Sequence, residues 1–195
     1  MHNYNVKYLV KVSLLAAMAT LLMFMEIPLP LLPVFLKLDI SELPAIIAAF
    51  SMGPLAGILV ELIKNVLHSA NTQTLGIGEC ANFLVGTAFL VPAGYVYRKR
   101  ANYLGAIIAL VLGTVSMVAL ASVLNYFILL PLYQYALHFP LDQIVASGSA
   151  ANPHVRDLKS FITFAIAPFN AIKGLVISLF TLLIYKKVLP MLREG

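Results

Sequence analysis

"ISELPAIIAAFSMGPLAGILVELIKNVLH", Ile40 to His68, decides how often the chain crosses a membrane. The stretch is apolar enough for one long kinked helix. It also carries Gly53-Pro54 at its centre, a pair that closes one helix and opens another. One helix gives five crossings in total and two give six, and the distribution of charge selects between them. Eight of the thirteen lysines and arginines fall in three groups: Lys7 and Lys11, then Arg98-Lys99-Arg100, then Lys186, Lys187 and Arg193. Basic residues favour the cytoplasmic side. With all three groups inside, the region from Ile40 to His68 begins and ends outside, so it is a hairpin turning at Gly53-Pro54.

The expected fold is therefore an all-α membrane protein: a six-transmembrane-helix bundle with both termini cytoplasmic, in a single integral membrane domain over residues 1–195. The spans lie at about 8–27, 40–52, 54–68, 78–97, 102–132 and 158–189, each near the length that crosses about 30 Å of hydrocarbon or half of a hairpin that does. Composition points the same way. The 195 residues are 61% hydrophobic and 11% charged, with a mean hydropathy of +0.93, against about 25% charged for a soluble domain. The apolar runs are too long and too even for the alternating strands of an outer-membrane barrel. Ala17-Met18-Ala19 is a faint processing site, but apolar residues continue through Phe24, and the first run is read as a retained span.

A formal charge of +5 does not indicate nucleic acid, because the basic residues sit at the ends of apolar runs and form no stripe interleaved with aromatics. The single Cys80 excludes an internal disulfide. His2, His68, His138 and His154 show no metal-ligand spacing, so no metal is expected. There is no phosphate-binding G-x-x-x-x-G-K-[ST] loop, no G-x-S-x-G elbow and no H-E-x-x-H.

Three connections face outward in this topology. "PLPLLPVFLKLD", Pro28 to Asp39, is proline-rich and apolar, unsuited both to a helix and to free water; it is expected to fold back as a lid over an outward-facing ligand pocket, with Phe35 and Leu36 as candidate ligand contacts. Ser69 to Ile77 is short and polar. Tyr133 to Asp157 is expected to be a long loop with Pro140, Gly148 and Pro153.

Lys173, in "PFNAIKG", is sixteen residues from Asp157 and thirteen from Lys186, about 20 Å from either end at about 1.5 Å per residue. Its side chain cannot snorkel that far, and an ionisable group at such depth is a functional candidate facing the bundle interior. Asn170 lies three residues earlier on the same face. The alternative is a lysine satisfied by backbone carbonyls or by a carboxylate such as Glu26 or Glu61. Asn125 interrupts the fifth span about 10 Å from its outer end, either as a ligand contact or as a hydrogen bond between helices. In "GECANFLVG", Glu79, Asn82 and Gly86 share a face, and His68 is a further candidate near them. Glu61 and Lys64 read as an intrahelical ion pair near the outer surface. Amides and one ammonium, with little arginine and no tryptophan, suit a neutral, flat ligand with several polar edges.

These stretches resemble a known family. "LDISELPAIIAAFSMGPLAGILVELIKNVLH", "GECANFLVG", "LNYFILLPLY" and "PFNAIKG", in that order between Lys11 and Leu183, are similar to the riboflavin-specific S component of energy-coupling factor (ECF) transporters. The resemblance implies a six-helix, multi-pass protein of the cell membrane that captures riboflavin from outside with high affinity. It is not itself an enzyme and needs no cofactor. Uptake would need a transmembrane coupling subunit and two cytoplasmic ATPase subunits. The family's ligand contacts match Asn125, Asn170 and Lys173, and its covering loop matches Pro28 to Asp39. Its docking face, small residues four apart on the first helix, corresponds here to Ser13 with Ala17 or Ala16 with Thr20. The rival readings are an S component for another vitamin or for flavins such as FMN, an intramembrane enzyme using Lys173, and a structural subunit.

Overall fold

The computed structural model describes residues 6–28, 36–138 and 140–193. The chain is helical almost throughout. Helix α1 spans Val6–Met23, and a two-residue antiparallel pair follows, β1 Ile27–Pro28 against β2 Lys37–Leu38, with Ile27 opposite Leu38. Then come α2 Glu42–Met52, α3 Pro54–His68 and α4 Ile77–Lys99. Helix α5, Tyr103–Leu124, runs through a π-helical segment, Asn125–Leu129, into α6, Leu130–Leu137. After α7, Leu141–Ala151, a short α8, Leu158–Phe161, leads through a second π-helical segment, Ile162–Ile166, into α9, Ala167–Arg193. Four continuous helices are long and apolar enough to cross a membrane: Val6–Met23, Ile77–Lys99, Tyr103–Leu137 and Leu158–Leu192. Glu42–Met52 is a shorter apolar helix.

The break between α2 and α3 falls at Gly53, whose φ of +102° is open to glycine at little cost. Pro54 then supplies the first residue of α3, where a missing N–H costs nothing. Helix α2 touches α1, α3, α4 and α9 and is buried from Pro44 to Phe50, so its apolar residues on every side suit a central position. Close packing depends on small residues. A Cβ on Gly57 would lie 2.9 Å from both the Ala45 carbonyl and the Ala49 methyl group, which lets α2 and α3 meet backbone to backbone. The outer helices turn Leu21, Val115, Leu175 and Leu183 outward, an apolar belt of the kind that lipid covers.

Two expectations are revised. The connection from Tyr133 to Asp157 is mostly helical and not a long loop. Ile144 and Gly148 are buried, and Leu141 and Val145 pack on the core; this three- and four-residue spacing forms an amphipathic face, seated by Gly148 against Phe161. At its end Asp157 accepts a hydrogen bond from the Ser160 backbone at 2.7 Å, which caps α8 and holds the Asp157 carboxyl below its ordinary range. The Glu61–Lys64 pair forms at 2.9 Å but is fully buried, because α3 is enclosed by α1, α2 and α4.

Candidate ligand site

Lys173 stands on α9 with 4% of its surface exposed. Its Nζ donates to Asp39 Oδ2 and contacts Glu42 Oε1, each at 2.9 Å. Neither acid is the partner expected from sequence: Glu26 pairs with Lys37 at the base of the β1–β2 ribbon, and Glu61 pairs with Lys64. Asp39 lies just before α2, where its Oδ1 accepts from the Ser41 backbone N at 2.8 Å and from the Ser41 hydroxyl. This local bonding is the usual behaviour of an aspartate two residues before a donor. Glu42 opens α2, where the N–H groups of the first turn favour an acidic side chain.

Lys64 completes the cluster from α3. Its ammonium donates to Ser41 Oγ at 2.7 Å and to Glu42 Oε1 at 3.2 Å, and meets Glu61 Oε1. Three carboxyl groups thus face two ammonium groups, all of them buried, and Glu42 Oε1 is shared by both lysines. Such an arrangement stands because each charge is paired; removing one member leaves its partner charged and dry. Two oxygens near the cluster, Glu42 Oε2 and Glu61 Oε2, are buried with no hydrogen-bond partner among the described residues. Gly86 on α4 makes room for this packing, since a Cβ there would lie 2.5 Å from Glu61 Oε1.

Asn170 is buried one turn before Lys173 and donates to the Ile166 carbonyl at 2.9 Å. Asn125 is half-buried and donates to Ala121 O at 2.8 Å. Each amide nitrogen is thereby held on its own helix. The two π-helical segments, one beginning at Asn125 and the other ending four residues before Asn170, pack against each other. Turns of this kind are frequent at functional sites.

The α4 candidates divide. Glu79 faces His68 Nδ1 at 3.0 Å and accepts from Thr72 at 2.9 Å, while Phe24 lies against the His68 ring at 4.9 Å. Asn82 keeps its Oδ1 buried and unpartnered. Leu36 packs on the core; Phe35 and most of the Pro28 to Asp39 stretch lie outside the described residues. On α1, Ala16 and Thr20 point into the bundle, where Thr20 donates to the Ala16 carbonyl at 2.8 Å, whereas Ser13 and Ala17 are exposed.

Asp39, Ser41 and Glu42 were not singled out as site residues from the sequence. The D-x-S-E pattern before an apolar run marks a helix start, which is a sufficient local reason for those residues. That Asp39 meets a lysine 134 residues away is a tertiary fact with no local trace. Among the described residues, no group of three His, Cys, Asp or Glu could hold a metal ion.

Comparison with known proteins follows the same lines. A family model described as "ECF transporter, substrate-specific component" matches residues 7–185. The chain is 42% identical to the riboflavin transporter FmnP of Bacillus subtilis (strain 168), across 97% of this chain and 96% of that one. It is 38% identical to the riboflavin transporter RibU of Staphylococcus aureus (strain TCH60), across 96% and 93%. A solved S component of a bacterial ECF transporter superposes with a TM-score of 0.75 at 36% identity, covering 96% of this chain and 98% of the other.

Proposed function

The chain belongs to the substrate-specific components of ECF transporters, and on that premise we propose that it captures riboflavin at the outer face of the cell membrane for ATP-driven uptake. Near-full-length similarity to two riboflavin transporters carries this reading. The bundle crosses six times, with α2 and α3 as a hairpin and both termini in the cytoplasm. Riboflavin lies with its ring between apolar walls under the Pro28 to Asp39 lid, whose base is the β1–β2 ribbon. Its polar edges meet Asn125, Asn170 and Lys173, with Asn82, Glu79, Phe35 and Leu36 as further contacts.

The site chemistry supports a binding role. Lys173 is paired with two carboxylates, so it serves as an oriented hydrogen-bond donor and is poorly suited to act as a base or a nucleophile. The spare acceptor oxygens of Glu42 and Asn82 suit a ligand rich in N–H and O–H donors, since a buried unpaired acceptor is costly until it is met. Riboflavin provides both kinds of group. Without a nucleotide-binding loop of its own, the chain relies on a coupling subunit and two ATPases, which dock on α1 through the exposed Ser13 and Ala17.

The test is an equilibrium titration of the purified chain, followed by quenching of flavin fluorescence. Saturable binding without turnover is expected. Lys173→Ala, Asn170→Ala and Asn125→Ala should each weaken it by about tenfold or more, the worth of one hydrogen bond left unmade in a buried site. If all three stay within a factor of two of the native chain, the assignment of the site fails.

A further inference from the structure

A buried lysine in a ligand site would ordinarily be read as a receptor for an anion. The geometry points to the opposite: we infer that Asp39 and Glu42 are specificity-determining residues that remove the net positive charge of Lys173 and select an uncharged flavin against its phosphate ester. The inference rests on the riboflavin reading above and deepens it.

Lys173 Nζ has a carboxylate oxygen at 2.9 Å on two sides. The same cluster holds a second lysine but a third carboxyl group, Glu61. With three carboxyl groups to two ammonium groups, the cluster carries no surplus positive charge, even if one carboxyl group is protonated. The acids are also held in place. Lys64 grips Glu42 directly and reaches Asp39 through the Ser41 hydroxyl, so neither can swing aside when a second anion approaches. What the cluster offers an arriving molecule is an N–H donor and a spare, buried acceptor, Glu42 Oε2. These suit a hydroxyl or an N–H. A phosphate supplies only further negative oxygens, and the nearest arginine in sequence to α9, Arg156, is exposed and outside the cluster. In a partly dry site a unit charge about 10 Å from a ligand phosphate changes affinity by about tenfold.

The experiment titrates the full chain in detergent with riboflavin and with riboflavin 5′-phosphate, and reads the ratio of the two affinities. The native chain is expected to prefer riboflavin. Asp39→Asn and Glu42→Gln, which keep shape and remove charge, should each move the ratio by about tenfold toward the phosphate ester, while Asp39→Glu keeps the native ratio. Equal affinity of the native chain for both flavins overturns the inference without any variant being needed. So does an unchanged ratio in the neutral variants. A native chain that binds neither flavin overturns the riboflavin reading and this inference together, whereas loss of discrimination with riboflavin binding intact overturns this inference alone.

Discussion

Lys173 and its two acids bring stability and recognition into conflict at a single side chain. In Lys173→Met, Asp39 and Glu42 would remain buried with one fewer counter-charge, a loss of about 3–5 kcal/mol for a broken buried pair. Adding Asp39→Asn removes one of the stranded charges. The double variant should therefore recover part of the unfolding temperature while leaving riboflavin affinity as low as in Lys173→Met. Thermal unfolding and flavin quenching on the same samples separate the two effects, and full recovery of affinity in the double variant would show that Lys173 has only a structural role. The depth of Lys173 could be read from the chain, because counting residues to each end of an apolar run gives distance along a helix. Its partners could not be read in the same way. Hydropathy treats Asp39 and Glu42 as the polar approach to α2, and only the packing of α2 on α9 brings them to the ammonium.

Helix α1 presents a cleaner contrast between two faces of one element. Ala16 is 1% exposed inside the bundle, so Ala16→Leu overpacks it at a cost of about 1–3 kcal/mol and should lower the unfolding temperature and riboflavin binding together. Ala17 faces outward one position on. Ala17→Leu should leave both measurements near native but reduce co-purification with the coupling subunit and uptake into proteoliposomes. Equal loss of binding in the two variants would contradict the placement of the docking face. Spacing alone yields both pairs of small residues, because positions four apart share a face whichever way the helix is turned. The rotation of α1 depends on packing against α2 and α3, and that contact distinguishes the two. Helix α7 was missed for a related reason: Pro140, Gly148 and Pro153 suggest a loop, while the seating of Gly148 on Phe161 makes glycine the right residue inside a helix.

For the molecule as a whole, ligand and fold are linked through mass action. Riboflavin at a hundredfold above its dissociation constant should stabilise the folded chain by about 2.7 kcal/mol, seen as a rise in unfolding temperature that grows with the logarithm of concentration. An absence of any rise at saturating riboflavin would exclude a site formed only in the folded bundle. The helical, membrane-embedded character of the chain was legible because hydrocarbon imposes length and apolarity on every span. The two π-helical segments were not, since one extra residue in a turn leaves no mark on hydropathy. Those segments make the outer end of the bundle sensitive to chain length. Deleting one residue between Asn125 and Leu129 would let the coil run on regularly and swing everything beyond it by about 100° around the axis. Leu130 would then leave the interior it now fills. In related chains, a one-residue gap in this turn should therefore be matched by a compensating change in the turn it packs on, a correlation visible in an alignment long before any binding measurement.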